Sequence, residues 1–287
     1  MQDQKTIFET IGNLSSIPTL PSIVGQITCL LQNPKTSAEE LGRAITSDQA
    51  LAAKVLKLVN SAFYGFPGRI STITHAIVIL GFSTIKNVVL TATILDIFKK
   101  KSDNNITDFD IEQFWIHSIS CGAAAKSIAR FTDNKIKEEC FIAGLVHDIG
   151  KILLYQYLPD LFIKAYAFST QNKLLFYESE QQLFKVTHQE IGGTLAERWN
   201  LPQMLQQAIK YHHTPHPGQE CFSTTSIVHC ADILVRALDF GYGGDDQLPN
   251  MSEAAWKSLN LDSIPTSTLF DMISDEIEKA TVFVQLS

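Results

Sequence analysis

The chain has no CxxC pair, and its five cysteines (29, 121, 140, 221 and 230) are odd in number. That argues against a zinc ribbon or a disulfide framework. It leaves the expectation of small buried thiols in a reducing compartment. Long apolar runs are also missing. The stretches 76–82 and 88–98 are too short and too interrupted to cross a bilayer. The opening MQDQKTIFET has no apolar core of the kind that a secretory signal needs. The expected location is therefore the cytoplasm, with no membrane partner. Basic runs are scarce: the net charge is −7, and the short cluster Lys99 to Lys101 reads as the solvated end of a helix. Without clustered cations to meet phosphates, the chain is a poor candidate for binding duplex nucleic acid. Alternating β-branched runs joined by hairpin dipeptides are absent, so little or no sheet is expected.

What is present is helix, with well-marked ends. Hydrophobic residues make up 45% of the 287 and charged residues 18%, the balance of a well-cored folded protein. Ser37-Ala-Glu-Glu40 is a capping box that opens a helix to about Thr46. Asp48 caps the next, which carries Leu51, Val55, Leu58 and Val59 on one face. NSAFYGFPGRI (60–70) reads as a loop, and helices near 72–80 and 83–100 follow it. KKKSDNNITDFD (99–110) is polar and turn-prone, which places a boundary between a helical unit of residues 1–108 and a second of 109–287. Past it, helices are expected at about 109–131, 136–157, 160–171, 177–185, 188–199, 202–213 and 224–240. Two more close the chain, the last near 266–283. The fold class is all-α, an N-terminal helical bundle packed on a second helical domain.

The chemistry sits in histidines and aspartates spread over these helices. HDIGK (147–151) places His147 and Asp148 together on a helix dense in apolar residues. An aspartate there is costly unless it is paired or bound to metal. Gly144 and Gly150 flank the pair and permit another helix to come close. His117 lies upstream in FWIHSIS; His188, His212, His213 and Asp232 lie downstream. Imidazole with carboxylate suits divalent first-row metals, which polarise phosphate oxygens and activate water. Each residue also has a plain alternative. Asp148 can pair with Lys151, and Asp232 with Arg236, one helical turn on. His117 can be an ordinary core histidine. His188 can be a polar first-turn residue, and His212 and His213 suit a helix C-terminus through the dipole. His75, His216 and His229 read as structural or exposed. Phe63, Tyr64 and Phe66 either pin the 60–70 loop or offer a partner surface.

In order and spacing, the set H…HD…D resembles the HD-domain metal-dependent phosphohydrolases, and the added histidines resemble their two-metal members. HQEIGGTLAERWNLPQMLQQAIKYHH (188–213) resembles both HD-GYP and HDOD proteins. LPSIVGQI (20–27), QALAAKVLKLVNSAFYG (49–65) and ISTITHAIVILGF (70–82) resemble the HDOD domain, the HD-related output domain of bacterial signalling proteins. The resemblance covers roughly residues 12–240. It implies one metal held by His117, His147, Asp148 and Asp232. Asp148 would bridge to a second held by His188, His212 and His213. Lys151 would contact a substrate phosphate or the bridging water, and Asp148 and Lys151 would be the catalytic pair. The implied ions are iron or manganese, with zinc, nickel or magnesium as alternatives. The implied partner is a phosphate-containing small molecule or a signalling protein. Two departures bear on function. HHTPHPGQECFS (212–223) has no GYP, so cyclic-di-GMP hydrolysis is not implied. Gln113 stands where HD-GYP relatives with an extra metal carry a glutamate ligand. The reading is a signalling protein with a retained metal site and phosphohydrolase chemistry, or else a non-catalytic module.

Overall fold

The computed structural model describes residues 19–33, 35–99, 109–132 and 134–285. Among them all regular structure is helical, with no strand, so the all-α expectation holds. No helix among them is long and apolar enough to cross a membrane. The described residues fall into two compact units. One lies within Lys101–Ile277, the other within Pro18–Lys100 together with Glu278–Ser287. Most of the polar segment read as a boundary, residues 100–108, lies outside the described residues.

The N-terminal unit begins with α1 (Ser22–Gln32), which the sequence reading did not assign; it buries Val24 and Ile27. In α2 (Ala38–Thr46) the capping box is formed: Ser37 Oγ accepts from Glu40 N at 3.1 Å, and Glu40 Oε2 accepts from Ser37 N at 2.8 Å. Asp48 caps α3 (Gln49–Val59) by accepting from Leu51 N at 3.0 Å. Leu51, Val55, Leu58 and Val59 are all buried, as their one-face spacing requires. The loop beyond is pinned by Asn60, whose Oδ1 accepts from Ile70 N (2.7 Å) and whose Nδ2 donates to Ile70 O (2.8 Å). Phe63 is buried edge-on against Phe283 of the same unit, with ring centroids 5.0 Å apart. Tyr64 and Phe66 are half-buried. α4 (Ile73–Leu80) and α5 (Phe82–Lys99) complete this unit together with the end of the last helix.

The C-terminal unit is organised around α6 (Ile111–Thr132), buried on every side from His117 to Ala129, as expected of a central core helix. The expected single helix over 136–157 is instead two: α7 (Lys137–Val146) and α8 (Ile149–Tyr157). The break falls at His147 and Asp148. Asp148 takes φ −97° and ψ 16°, and Gly144 O at the helix end accepts the His147 Nδ1–H at 2.6 Å. On an unbroken helix the two side chains would point about 100° apart; the break lets both face one spot. α9 (Pro159–Asn172), α10 (Phe176–Phe184), α11 (His188–Arg198) and α12 (Gln203–Tyr211) follow. α13 (Phe222–Ala237) ends earlier than the expected 240, because Asp239 turns to a left-handed φ of 60°. α14 (Glu253–Ser258) and α15 (Thr266–Val284) close the chain.

Helix α6 packs along α7 and α13, and α11 along α8 and α12. Two contacts tolerate no side chain. A Cβ on Gly144 would stand 2.5 Å from Cys121 O, and one on Gly150 would stand 1.9 Å from His188 O. The glycines flanking the HD pair therefore set how closely α7 meets α6 and α8 meets α11. A buried ion cluster ties α15 to α6. Glu276 receives Arg130 at 2.6 and 2.9 Å and lies 3.6 Å from Lys126 Nζ, which also reaches Glu138 at 3.3 Å.

Candidate metal centre

The break between α7 and α8 presents His147 and Asp148 to one pocket. α6 brings His117, the first turn of α11 brings His188, the end of α12 brings His212 and His213, and α13 brings Asp232. All but His213 are at most 1% exposed; His213 is half-buried at the rim. Their donor atoms converge. His117 Nε2 lies 3.2 Å from Asp232 Oδ1, and His147 Nε2 lies 3.8 Å from the same oxygen. Asp148 faces both ways. Its Oδ2 is 3.3 Å from His147 Nε2, while its Oδ1 is 3.1 Å from His188 Nε2 and 3.4 Å from His212 Nε2. His213 Nε2 lies 3.2 Å from His188 Nε2. Two donor groups result: His117, Cys121, His147 and Asp232; and Asp148, His188, His212 and His213. In each, the donor atoms lie within 4.8 Å of one another.

The ring orientations are set from behind. His147 Nδ1 bonds Gly144 O at 2.6 Å, His212 Nδ1 bonds Ile209 O at 3.0 Å, and His188 Nδ1 bonds Glu180 Oε2 at 2.7 Å. In each case the acceptor fixes the proton on Nδ1, so Nε2 turns an unshared pair inward. A histidine that ligates a metal is usually held this way. The inward face has too few protons: His147 Nε2 and Asp148 Oδ1 are buried without a hydrogen bond despite their close neighbours. Charge is unbalanced too. Four buried carboxylates (Asp148, Glu180, Asp232 and Asp245) stand against two buried cations, Lys151 and Arg236. Converging lone pairs with a deficit of two positive charges fit a divalent ion, and nitrogen with carboxylate donors suits a first-row transition metal.

Titration follows from burial and these neighbours. Burial alone would raise the Asp148 carboxyl. The Lys151 ammonium and the His147 and His188 contacts outweigh it and hold the group well below the usual carboxylate range. Asp232 behaves alike, with Arg236 and His117 outweighing burial. Burial pushes His117 down, and it pushes His212 down to about 4 despite Asp148. His188 is the exception: burial lowers it, but the Glu180 carboxylate, its bond to Nδ1 and the nearness of Asp148 prevail and raise it.

The plain pairings foreseen from sequence coexist with this convergence. Lys151 Nζ donates to Asp148 Oδ2 at 2.7 Å, and Arg236 Nε donates to Asp232 Oδ1 at 2.9 Å. Lys151 is buried and also donates to Gly243 O at 2.8 Å. It therefore does not stand in an open cleft. The loop 238–252 lies over this face of the unit. Tyr242 N donates to Gln113 O, and Arg236 and Phe176 N both bond Asp245. A Cβ on Gly243 would come within 3.2 Å of His117 Nε2. Gln113, at the extra-ligand position, is exposed.

Sequence reasoning missed Glu180, Cys121 and Asp245. Glu180 had a readable signal. It shares a helix face with Phe176 and Ser179, at positions i, i+3 and i+4, and all three are buried. Of the histidines set aside, His75 and His216 are exposed. His229 is structural: its Nδ1 bonds His212 O at 2.7 Å and its Nε2 accepts from Ser252 N at 2.9 Å.

The HDOD domain family matches residues 17–215. That is well over half of the chain, and the protein belongs to this family. An uncharacterized protein of Treponema pallidum (strain Nichols) is 28% identical over 250 residues, covering 86% of this chain and 47% of that protein. The chain thus spans about half the length of the curated relative it matches. Among solved structures it is similar to an HDOD domain protein of unknown function from Geobacter sulfurreducens, with a TM-score of 0.78, 24% identity and 99% of both chains covered. A candidate phosphohydrolase from Shewanella amazonensis SB2B matches at TM-score 0.73 and 19% identity, over 96% of this chain and 97% of that one. A candidate signal transduction protein from Marinobacter aquaeolei VT8 matches at 0.74 and 19%, over 99% of this chain and 64% of that one. These likenesses establish the fold.

Proposed function

We propose that this HDOD protein is a signalling module that holds divalent metal in its C-terminal unit. His117, His147, Asp148 and Asp232 hold one ion. Asp148 bridges to a second position formed by His188, His212 and His213. The observation that carries this reading is the convergence of the His147, His188 and His212 Nε2 atoms on Asp148, each ring with its Nδ1 already committed elsewhere. Iron or manganese fits the His and Asp donors, with zinc, nickel or magnesium as alternatives.

The ligand side chains other than His213 are buried, and Lys151 is held by Asp148 and Gly243 O. A buried centre favours a module that passes on a state through a protein partner. The second reading is a phosphohydrolase, supported by the complete donor set and by the resemblance to the Shewanella protein described as a candidate phosphohydrolase. Metal in such a site supplies polarisation of a phosphate oxygen and a water made nucleophilic near neutral pH. In that case the 238–252 loop must move aside, freeing the Lys151 ammonium from Gly243 O to meet a phosphate.

Metal analysis of the purified chain and of Asp148→Ala comes first: the chain carries metal and the variant loses it. Equal metal content in the two sinks the assignment. A panel of phosphomonoesters, phosphodiesters and nucleotides with added Mn²⁺ or Fe²⁺ then separates the readings. No turnover by the fully metallated chain is the expected result. Turnover that disappears in both Asp148→Ala and Lys151→Ala would replace the module with the hydrolase.

A further inference from the structure

Cys121 stands four residues after His117 on α6, so the two side chains share one helix face. Its sulfur is fully buried and lies 3.5 Å from His117 Nε2. We propose that Cys121, rather than Asp148, completes a tetrahedral donor set with His117, His147 and Asp232 at the first metal position, making it a mixed thiolate site selective for zinc or ferrous iron over manganese and magnesium. The proposal rests on the metal reading above and goes further by naming a ligand that the HD pattern does not contain.

The spacing carries the argument. Metal bonds of about 2.0–2.1 Å to nitrogen and oxygen and about 2.3 Å to sulfur imply tetrahedral edges of about 3.3 Å between nitrogen and oxygen and about 3.5 Å between nitrogen and sulfur. The observed separations are 3.2 Å for His117 Nε2 to Asp232 Oδ1 and 3.5 Å for His117 Nε2 to Cys121 Sγ. His147 Nε2, at 3.8 Å from the same Asp232 oxygen, closes the set, and all four donor atoms lie within 4.8 Å of one another. His147 supplies an independent sign of a missing ligand. Its Nε2 is buried with no hydrogen bond, and its other nitrogen is taken by Gly144 O. A weak S–H donor beside His117 would leave that second nitrogen unexplained.

Sulfur changes which ion the position prefers. Thiolate is a soft donor that suits zinc and iron, whereas manganese and magnesium favour oxygen. Binding is redox-neutral: the sulfur–metal bond forms as the S–H bond breaks, and the proton leaves to solvent. Asp148 Oδ2, 3.3 Å from His147 Nε2, remains available as a fifth donor or bridge.

The test is a cobalt titration of the chelator-stripped full chain. Co²⁺ should give visible d–d absorption together with a near-ultraviolet thiolate-to-cobalt charge-transfer band. Cys121→Ser should keep the d–d absorption and lose the near-ultraviolet band, and its preference for Zn²⁺ over Mn²⁺ should fall by at least about tenfold. Cys140→Ser, a buried cysteine outside the donor set, should keep the band. Cobalt bound by the unaltered chain without a near-ultraviolet band overturns the Cys121 assignment and leaves the metal centre standing. No cobalt absorption at all overturns the centre itself. If Cys121→Ser does not fold, X-ray absorption of the zinc-loaded unaltered chain decides: a sulfur neighbour at about 2.3 Å supports the proposal, and a shell of nitrogen and oxygen alone defeats it.

Discussion

Replacing Glu180 by glutamine tests whether the centre is held from behind. The side chain is fully buried, and its Oε2 accepts from both the His188 ring (2.7 Å) and the His188 backbone amide (2.9 Å). Glutamine keeps the shape and one acceptor oxygen but removes the charge. Two charge-assisted bonds at about 1.5–3 kcal/mol each become neutral bonds at about 0.5–1.5 kcal/mol each, a loss of about 2–3 kcal/mol. The new amide must also occupy the place of Oε1, which has no hydrogen-bond partner. The neutral His188 ring loses the carboxylate that makes it a better donor, and changes of this kind lower metal affinity by about 10–100-fold. The expected outcome is a folded variant with a weakened second metal position. Competition with a chromogenic chelator measures the affinity, and thermal melts with and without metal report the coupling. Metal affinity within twofold of the unaltered chain would refute the argument that Glu180 orients His188.

Gly150→Ala would drive a Cβ to 1.9 Å from His188 O. Such overpacking against backbone should cost about 3 kcal/mol or more, a fall in Tm of roughly 6–12 °C; an unchanged melt would mean that α8 and α11 do not meet as described. Lys151→Met should destabilise the metal-free chain by about 3–5 kcal/mol, because it strands the Asp148 charge. Added Zn²⁺ should then raise its Tm more than it raises that of the unaltered chain, and an equal rise would contradict this. The metal-free chain should also lose stability as pH falls. His212 titrates near 4 when folded and near 6.5 when unfolded, so between those values the unfolded state binds more protons. Its contribution, roughly 3 kcal/mol, is present above about pH 6.5 and lost on the way to pH 4, opposed in part by His188. Asp148 and Asp232 keep their contributions through this window, since their folded values lie below the usual carboxylate range. Urea melts at pH 7 and pH 4.5 measure the difference, and equal or greater stability at 4.5 would count against it.

Helix ends and apolar faces were legible because their causes are local. Ser37 and Asp48 cap where their side chains reach a free amide, and Leu51, Val55 and Leu58 repeat at helical spacing. The break at 147–148 was not legible. Apolar residues continue through it, and it rests on a local ring-to-carbonyl bond and on the approach of α11, the second a tertiary fact. His117, His147, Asp148, His188, His212, His213 and Asp232 could be picked out because their types and order recur as a pattern. Glu180 and Asp245 could not be found that way. Glu180 in FYESEQQLF is marked only by the helix face that it shares with Phe176 and Ser179, and Asp245 sits in a loop whose path sequence does not dictate. Cys121 was read as a small apolar filler, since nothing local distinguishes a sulfur facing two histidines from one facing leucine.

The loop from Leu238 to Ser252 is fastened at Gln113, Lys151, Phe176, Arg236 and His229, and its consequence is kinetic. An ion held beneath it, as proposed, would exchange only when several of these fastenings open together, so its departure would be slow even at a modest equilibrium affinity. Occupancy would then reflect which ion is abundant while the chain folds more than which ion binds best afterwards. Were the proposed centre filled, a chain made in zinc-rich medium and one made in iron-rich medium would become two long-lived populations with the same sequence, and the C-terminal unit would keep a record of the metal supply at its synthesis.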